Sequence, residues 1–135
     1  MGGDVENDLS ILVLEEELEF SSYVYSACFG DSEENIKDSI TTSWKTTGEL
    51  TPIYFDQTKY ETCKRIAKSN NTFCATYGNE VALCPSYGGV YAAKQTSSSW
   101  HIHGIRTGDP TQRGVCFDKD VTYTNIGNYL HWIRG

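Results

Sequence analysis

Two stretches and a set of cysteines carry the chemistry that this chain could perform. His101-Ile102-His103 puts two imidazoles on one face of a strand, where they could chelate a metal if a third ligand such as His131 came near. No carboxylate or Cys pair accompanies them, so the pattern reads as a strand face, and neither a metal nor any other cofactor is expected. Leu83-Cys84-Pro85-Ser86-Tyr87-Gly88-Gly89-Val90 brings a Cys, two hydroxyls and a Gly-Gly pair into one short stretch. Acyl transfer at such a turn needs a Ser nucleophile, a His base, an Asp to orient it and backbone N–H donors for the oxyanion. Pro85 has no N–H to offer. The five Cys, at positions 28, 63, 74, 84 and 116, form no Cys-x-x-Cys metal pattern. Disulfides and an oxidising compartment are the better reading, and the odd count leaves one Cys free or bonded outside this chain. Asn70-Asn71-Thr72 fits the N-glycosylation sequon, with Asn70 as the acceptor.

The length of 135 residues suits one domain with a genuine core. A net charge of -7 argues against nucleic acid or an anionic membrane as partner. The nine Tyr lack the interleaved basic residues of a nucleic-acid platform. Met1 to Glu6 offers neither a basic region nor an apolar run of signal-peptide length, and no transmembrane span is visible.

The expected elements are mainly strands. Leu9 to Leu14 is a compact apolar run followed by Glu15-Glu16-Glu17, read as a strand and an acidic turn, with Ser21 to Ala27 extended after it. Ile40 to Thr47 and Leu50 to Phe55, rich in Thr, Trp, Tyr and Ile and broken by Gly48, look like a hairpin. Gln57 to Ser69 places Tyr60, Cys63 and Ala67 at helical spacing. Phe73 to Tyr77, Val90 to Ala93, Trp100 to Ile105 and Val121 to Thr124 then alternate with Gly and Ser clusters, the habit of an antiparallel barrel or sandwich. A closing helix is expected where Ile126, Tyr129, Leu130 and Ile133 share a face.

Several of these segments resemble, in order, the trypsin-like serine protease family. Asn7-Asp8-Leu9-Ser10-Ile11-Leu12-Val13-Leu14 is similar to the strand that carries the family's triad aspartate, with Asp8 at the matching position. Thr42-Ser43-Trp44-Lys45-Thr46 resembles the Gly-Trp-Gly segment, and Cys63 with Phe73-Cys74-Ala75-Thr76-Tyr77 the helix followed by Phe-Cys-Ala-Gly-Tyr. Cys84 with Gly88-Gly89 matches the nucleophile loop, Trp100 to Ile105 the Trp-x-x-x-Gly-Ile strand, and Tyr123-Thr124-Asn125-Ile126 with Tyr129 to Ile133 the family's ending. The fold so implied is all-β: the second antiparallel barrel of the trypsin-like fold, with a short intermediate helix and a C-terminal helix. Residues 1–135 would be a partial domain lacking most of the N-terminal barrel.

The resemblance implies disulfides Cys63–Cys74 and Cys84–Cys116, each worth ~3 to 4 kcal/mol by loop entropy, and leaves Cys28 unpaired or linked to another polypeptide. It also implies lost chemistry. Tyr87 stands in place of the nucleophilic Ser, and a phenol without a matched base is no substitute. The loop has one residue fewer between Cys84 and Gly88 than the family's, so Pro85, Ser86 and Gly88 form a disrupted oxyanion loop. Ala82 replaces the acidic specificity residue, and the Asp before the nucleophile is missing, as is an Ile-Val-Gly-Gly start. No histidine matches the base, so Asp8 is a vestigial triad aspartate. The expectation is a secreted, catalytically inactive homologue of the modular invertebrate type, a binding or regulatory module of a proteolytic cascade. Its partner would be a missing barrel or regulatory module, a cascade protease or that protease's substrate. The alternatives are a fragment of an active endopeptidase and a small disulfide-stabilised ligand-binding protein.

Overall fold

The computed structural model describes residues 7–30, 36–55, 71–78, 83–95, 99–108 and 120–135. Seven strands carry the architecture: β1 (Cys28–Phe29), β2 (Ile36–Trp44), β3 (Leu50–Tyr54), β4 (Thr72–Thr76), β5 (Val90–Gln95), β6 (Trp100–Arg106) and β7 (Asp120–Asn125). They form one sheet in the order β3-β2-β5-β6-β7-β4, with β1 paired to β6 off that path. All pairs along the path are antiparallel, whereas β1 runs parallel to β6, Cys28 opposite His101 and Phe29 opposite Ile102. A bridge between Phe55 and Tyr77 joins the two ends of the path, which bends the sheet into a barrel and leaves little raw edge.

The β2–β3 hairpin shows how local chemistry fixes register. Lys45 N–H donates to the Glu49 carbonyl and Gly48 N–H to the Lys45 carbonyl, both at 2.9 Å, while Gly48 takes φ +83°. This is a turn followed by a left-handed residue, a conformation that glycine adopts at low cost. The register it sets pairs Trp44 with Leu50 and Ile40 with Tyr54. β2 therefore ends at Trp44, not at Thr47 as the composition suggested, because the turn needs Lys45 to Gly48.

Inside the barrel, large rings face small residues. Phe55, Phe73, Tyr91 and Tyr123 pack against one another with centroids 4.9 to 6.0 Å apart, Phe73 stacking on Tyr123 and Phe73 meeting Tyr91 edge-on. Ala75 and Ala93, both fully buried, leave the room these rings fill. The inward face of β2 is a stripe of buried hydroxyls, Ser39, Thr41 and Ser43, which the period of two places on one side.

The chain closes with a 3-10 turn, Ile126–Tyr129, and helix α1, Leu130–Arg134. The Asn125 side chain accepts from Gly127 N–H at 3.1 Å and caps the turn. Ile126 and Leu130 are buried and Tyr129 and Ile133 half-buried, whereas Asn128, His131 and Trp132 face solvent, so the expected apolar face is the one that docks. Leu9 to Leu14, expected as a strand, pairs with no strand among the described residues; its side chains are β-prone, but a strand also needs a neighbour to hydrogen-bond. Ser21 to Ala27 contains a turn in which Ser21 N–H donates to the Val24 carbonyl and the Ser21 hydroxyl accepts from Tyr23 and Val24 N–H. The helix expected over Gln57 to Ser69 lies outside the described residues. No helix among the described residues is long and apolar enough to cross a membrane.

Burial pushes the phenols of Tyr77 and Tyr123 up, and the nearby Arg106 guanidinium offsets part of the rise in both. Below the ordinary phenol value of 10.0, folded and unfolded chains both keep these protons. Above it the unfolded chain ionises first, so stability should drain away as pH climbs past about 10 toward the raised folded values. In an alkaline titration, the phenolate absorbance of Tyr77 and Tyr123 should appear together with loss of the near-ultraviolet dichroism. Ionisation of every tyrosine with the fold intact would contradict this.

Candidate functional site

The segment Cys84 to Gly89 lies between β2 and β6 and is tied to both. On the β2 side, Ser43 Oγ donates to the Cys84 carbonyl, Ser86 N–H donates to the Thr42 carbonyl at 3.0 Å, and Trp44 N–H donates to Ser86 Oγ at 3.2 Å. On the β6 side, Gly88 N–H donates to the Arg106 carbonyl at 3.1 Å and Arg106 N–H to the Gly89 carbonyl at 2.7 Å. The turn itself closes with Gly89 N–H on the Ser86 carbonyl at 2.9 Å, and Gly88 at φ +72° occupies its third position while Tyr87 keeps a negative φ, the pattern of a type II turn. A methyl group on Gly89 would meet the Ser86 carbonyl oxygen at 2.8 Å, so the second glycine is required by the tightness of the turn.

The consequence for chemistry is direct. Acyl transfer needs backbone N–H groups left free to meet an oxyanion. In this loop the N–H groups of Ser86, Gly88 and Gly89 are each committed to a carbonyl, and Pro85, buried, has none. The Ser86 hydroxyl accepts from Trp44 N–H. Tyr87 stands at the apex, 49 % exposed, its ring covering the Arg106 guanidinium at 4.1 Å. Arg106 also donates through Nη1 to the Pro85 carbonyl. One side chain thus grips the loop by a charge-assisted hydrogen bond at its base and a cation–π contact at its tip.

Asp8 lies beside the end of β6. Thr107 Oγ1 donates to Asp8 Oδ2 at 2.6 Å, and Thr124 Oγ1 reaches the Asp8 carbonyl at 3.3 Å. Among the described residues its side-chain partner is this threonine and no histidine donates to it. Tyr129 donates its phenol proton to Asn7 Oδ1 at 2.7 Å, which fixes the start of the segment against the C-terminal turn. Asn7, Leu9, Tyr129 and Trp132 line a groove of about 250 Å³.

Of the other residues singled out in the sequence, Cys74 and Cys84 are disulfide-bonded, while Cys63, Cys116, Ala82 and Asn70 lie outside the described residues. Cys28 is free and exposed. His101 sits with Nδ1 3.3 Å from the Ser99 carbonyl, and His103 packs edge-on to Tyr91 with its ring over Gly30, where an added methyl would meet it at 2.3 Å. No three His, Cys, Asp or Glu side chains among the described residues converge as a metal site requires. Sequence reasoning passed over Arg106 and Thr107. The one available signal was a cation two residues after Gly104 in an otherwise uncharged stretch of strand.

No family model matches the chain, and no curated protein matches it in sequence. Solved structures do. Kallikrein-related peptidase 10 superposes with a TM-score of 0.60 at 19 % identity, covering 89 % of this chain and 58 % of that one. The same peptidase in complex with Zn2+ gives 0.60 at 18 %, with the same coverage. A scabies mite inactivated protease paralogue, S-I1, gives 0.53 at 18 %, covering 82 % of this chain and 51 % of that one. The fold is therefore trypsin-like in its C-terminal barrel part, and the chain spans little more than half the length of these neighbours.

If Arg106 holds the loop as described, Arg106→Leu should cost about 2 to 3 kcal/mol in urea denaturation, the sum of a charge-assisted hydrogen bond and a ring contact. Amide exchange at Ser86, Gly88 and Gly89 should accelerate more than at β4 or β7. Gly89→Ala, which forces a methyl onto a backbone oxygen, should cost about 1 to 3 kcal/mol by the same assay.

Proposed function

We propose that this trypsin-like barrel belongs to a secreted serine protease homologue that hydrolyses no peptide bond and serves as a binding or regulatory module in a proteolytic cascade. The observation that carries this reading is the loop Cys84 to Gly89: the residue before Gly88-Gly89 is Tyr87, Pro85 has no N–H, and the N–H groups of Ser86, Gly88 and Gly89 are spent on carbonyls of β2, β6 and the loop itself. Asp8 keeps a hydroxyl partner, Thr107, in place of an imidazole. The name of one structural neighbour, an inactivated protease paralogue, is in keeping with this. Residues 1–135 then form a partial domain, and the polypeptide it works with supplies the N-terminal barrel or a regulatory module. The disulfides on Cys74 and Cys84 agree with an oxidising, extracellular setting.

Against the reading as an active endopeptidase fragment, supplying a histidine would restore a base but neither the nucleophile nor the donors. Against a free-standing ligand-binding protein stands the apolar surface of the amino-terminal segment, where Leu12 is 85 % and Val13 91 % exposed.

A broad fluorogenic peptide panel together with a fluorophosphonate probe tests the proposal. No turnover and no label are expected, and Tyr87→Ser should stay unlabelled because no histidine among the described residues lies at hand to act as base and the N–H groups of Ser86, Gly88 and Gly89 remain committed. Label on the natural chain that disappears in Ser86→Ala would overturn it.

A further inference from the structure

Three polar atoms from three strands turn into the barrel and find no partner there. Thr41 and Tyr123 are fully buried, and among the described residues neither Thr41 Oγ1 nor the Tyr123 phenol oxygen makes a hydrogen bond. The same holds for Arg106 Nε, itself shielded from solvent. The register brings them to one place. Arg106 and Tyr123 stand opposite each other across β6 and β7, so their side chains leave the sheet on the same face, and the burial of Tyr123 marks that face as the interior. Thr41 comes from the inward side of β2. Burial is the larger influence on the Tyr123 phenol, but Thr41 and Arg106 both pull toward its ionised form, which puts both within interacting reach of that oxygen.

The chemistry of the three groups selects what they hold. Arg106 Nε is an N–H on a permanent cation and can only donate, while the two hydroxyls rotate and can point their protons the same way. The rest of the guanidinium is engaged by neutral groups, Nη1 by the Pro85 carbonyl and one face by the Tyr87 ring, so its charge is not balanced there. Among the described residues the one ion pair is Lys45 with Glu49 at the surface, and no carboxylate reaches Arg106. A buried cation without a counter-charge and buried donors without an acceptor each cost stability, and one anion relieves them all. A water molecule would accept from the donors but bring no charge. Phe55, Phe73, Tyr91 and Tyr123 occupy the same interior, so the occupant has to be small.

We propose that the barrel interior binds a small monovalent anion of halide type, held by Arg106 Nε–H and the hydroxyls of Tyr123 and Thr41. Such an ion ties β2, β6 and β7 together through the same guanidinium that grips the loop from Cys84 to Gly89. The site concerns the interior of the barrel and neither needs nor excludes peptidase activity.

The test compares the intact protein in sodium chloride, sodium bromide and sodium gluconate at equal ionic strength, gluconate being too large for a space walled by four rings. The thermal midpoint should rise by about 3 to 5 °C for each tenfold increase in halide above its dissociation constant, and stay level in gluconate. Thr41→Val keeps the shape of the side chain and removes the hydroxyl. In gluconate it should be as stable as the natural chain or slightly more so, because an unpartnered group is gone, whereas in halide it should lose most of the rise. Tyr123→Phe should behave in the same way and serves if the valine variant folds poorly. Crystals of the natural chain grown in bromide should show an anomalous peak within hydrogen-bonding distance of Arg106, Thr41 and Tyr123. A midpoint indifferent to halide, a halide-dependent rise that both variants keep, or bromide only at the surface would overturn the proposal, the first of these meaning that water alone fills the space.

Discussion

Four aromatic rings packed face and edge inside a small barrel set the terms for everything else in this molecule. Phe55 and Tyr91 come from strands on one side of the sheet path, Phe73 and Tyr123 from the other, so their contact is what draws the two ends of the sheet together. Buried rings of this size dominate the energetics of a core. Their bulk is accommodated by alanines and by the hydroxyl stripe on β2, short side chains that let a strand approach closely. The stripe has a second use, because Ser43 and the backbone of Thr42 are also what the loop from Cys84 to Gly89 hangs from.

That loop is held from two strands that are themselves separated in the sheet by β5. Arg106 supplies the cross-tie. A guanidinium can reach a carbonyl and lie under a ring at once because it is planar and presents donors in its plane while offering its face to the ring. The loop that results is stiff, inward-looking in its hydrogen bonds and outward-looking only through Tyr87. The N–H groups of Ser86, Gly88 and Gly89 all serve this internal bonding.

Much of the barrel could be read from the sequence. β-branched and aromatic residues at a period of two mark β3, β5 and β7, and the spacing of Ile126, Tyr129, Leu130 and Ile133 marks the docking face of the last turn, because in each case local pattern and burial agree. β2 was legible as a strand but not in its orientation, since its buried side is the polar one. The expectation that Tyr87 stands where a nucleophile would came from the resemblance, and nothing in it pointed to the hydrogen bonds of Ser86 and Gly88, which depend on Thr42 and Arg106, far away in the chain. The pairing of Thr107 with Asp8 joins residues nearly a hundred positions apart and leaves no periodic trace. Leu9 to Leu14 shows the opposite failure: its residues spell a strand, but a hydrophobic run carries no record of whether its neighbour is present.

Considered as a mechanical element, the amino-terminal segment is a rope tied at two points. One knot is the group of side-chain hydrogen bonds around Asn7 and Asp8; the other is two residue pairs of parallel ladder at Cys28-Phe29, backed by Gly30 N–H on the Ile102 carbonyl. Load applied between the knots is carried to β6 and β7 at opposite ends of β6, not to the ring-filled interior. The shorter ladder is the weaker knot, since parallel pairing is slightly less stable per residue and only two residues share the pull. Tension on the segment would therefore peel Cys28 and Phe29 away first, lengthening the free span while the barrel and its stiff loop keep their shape.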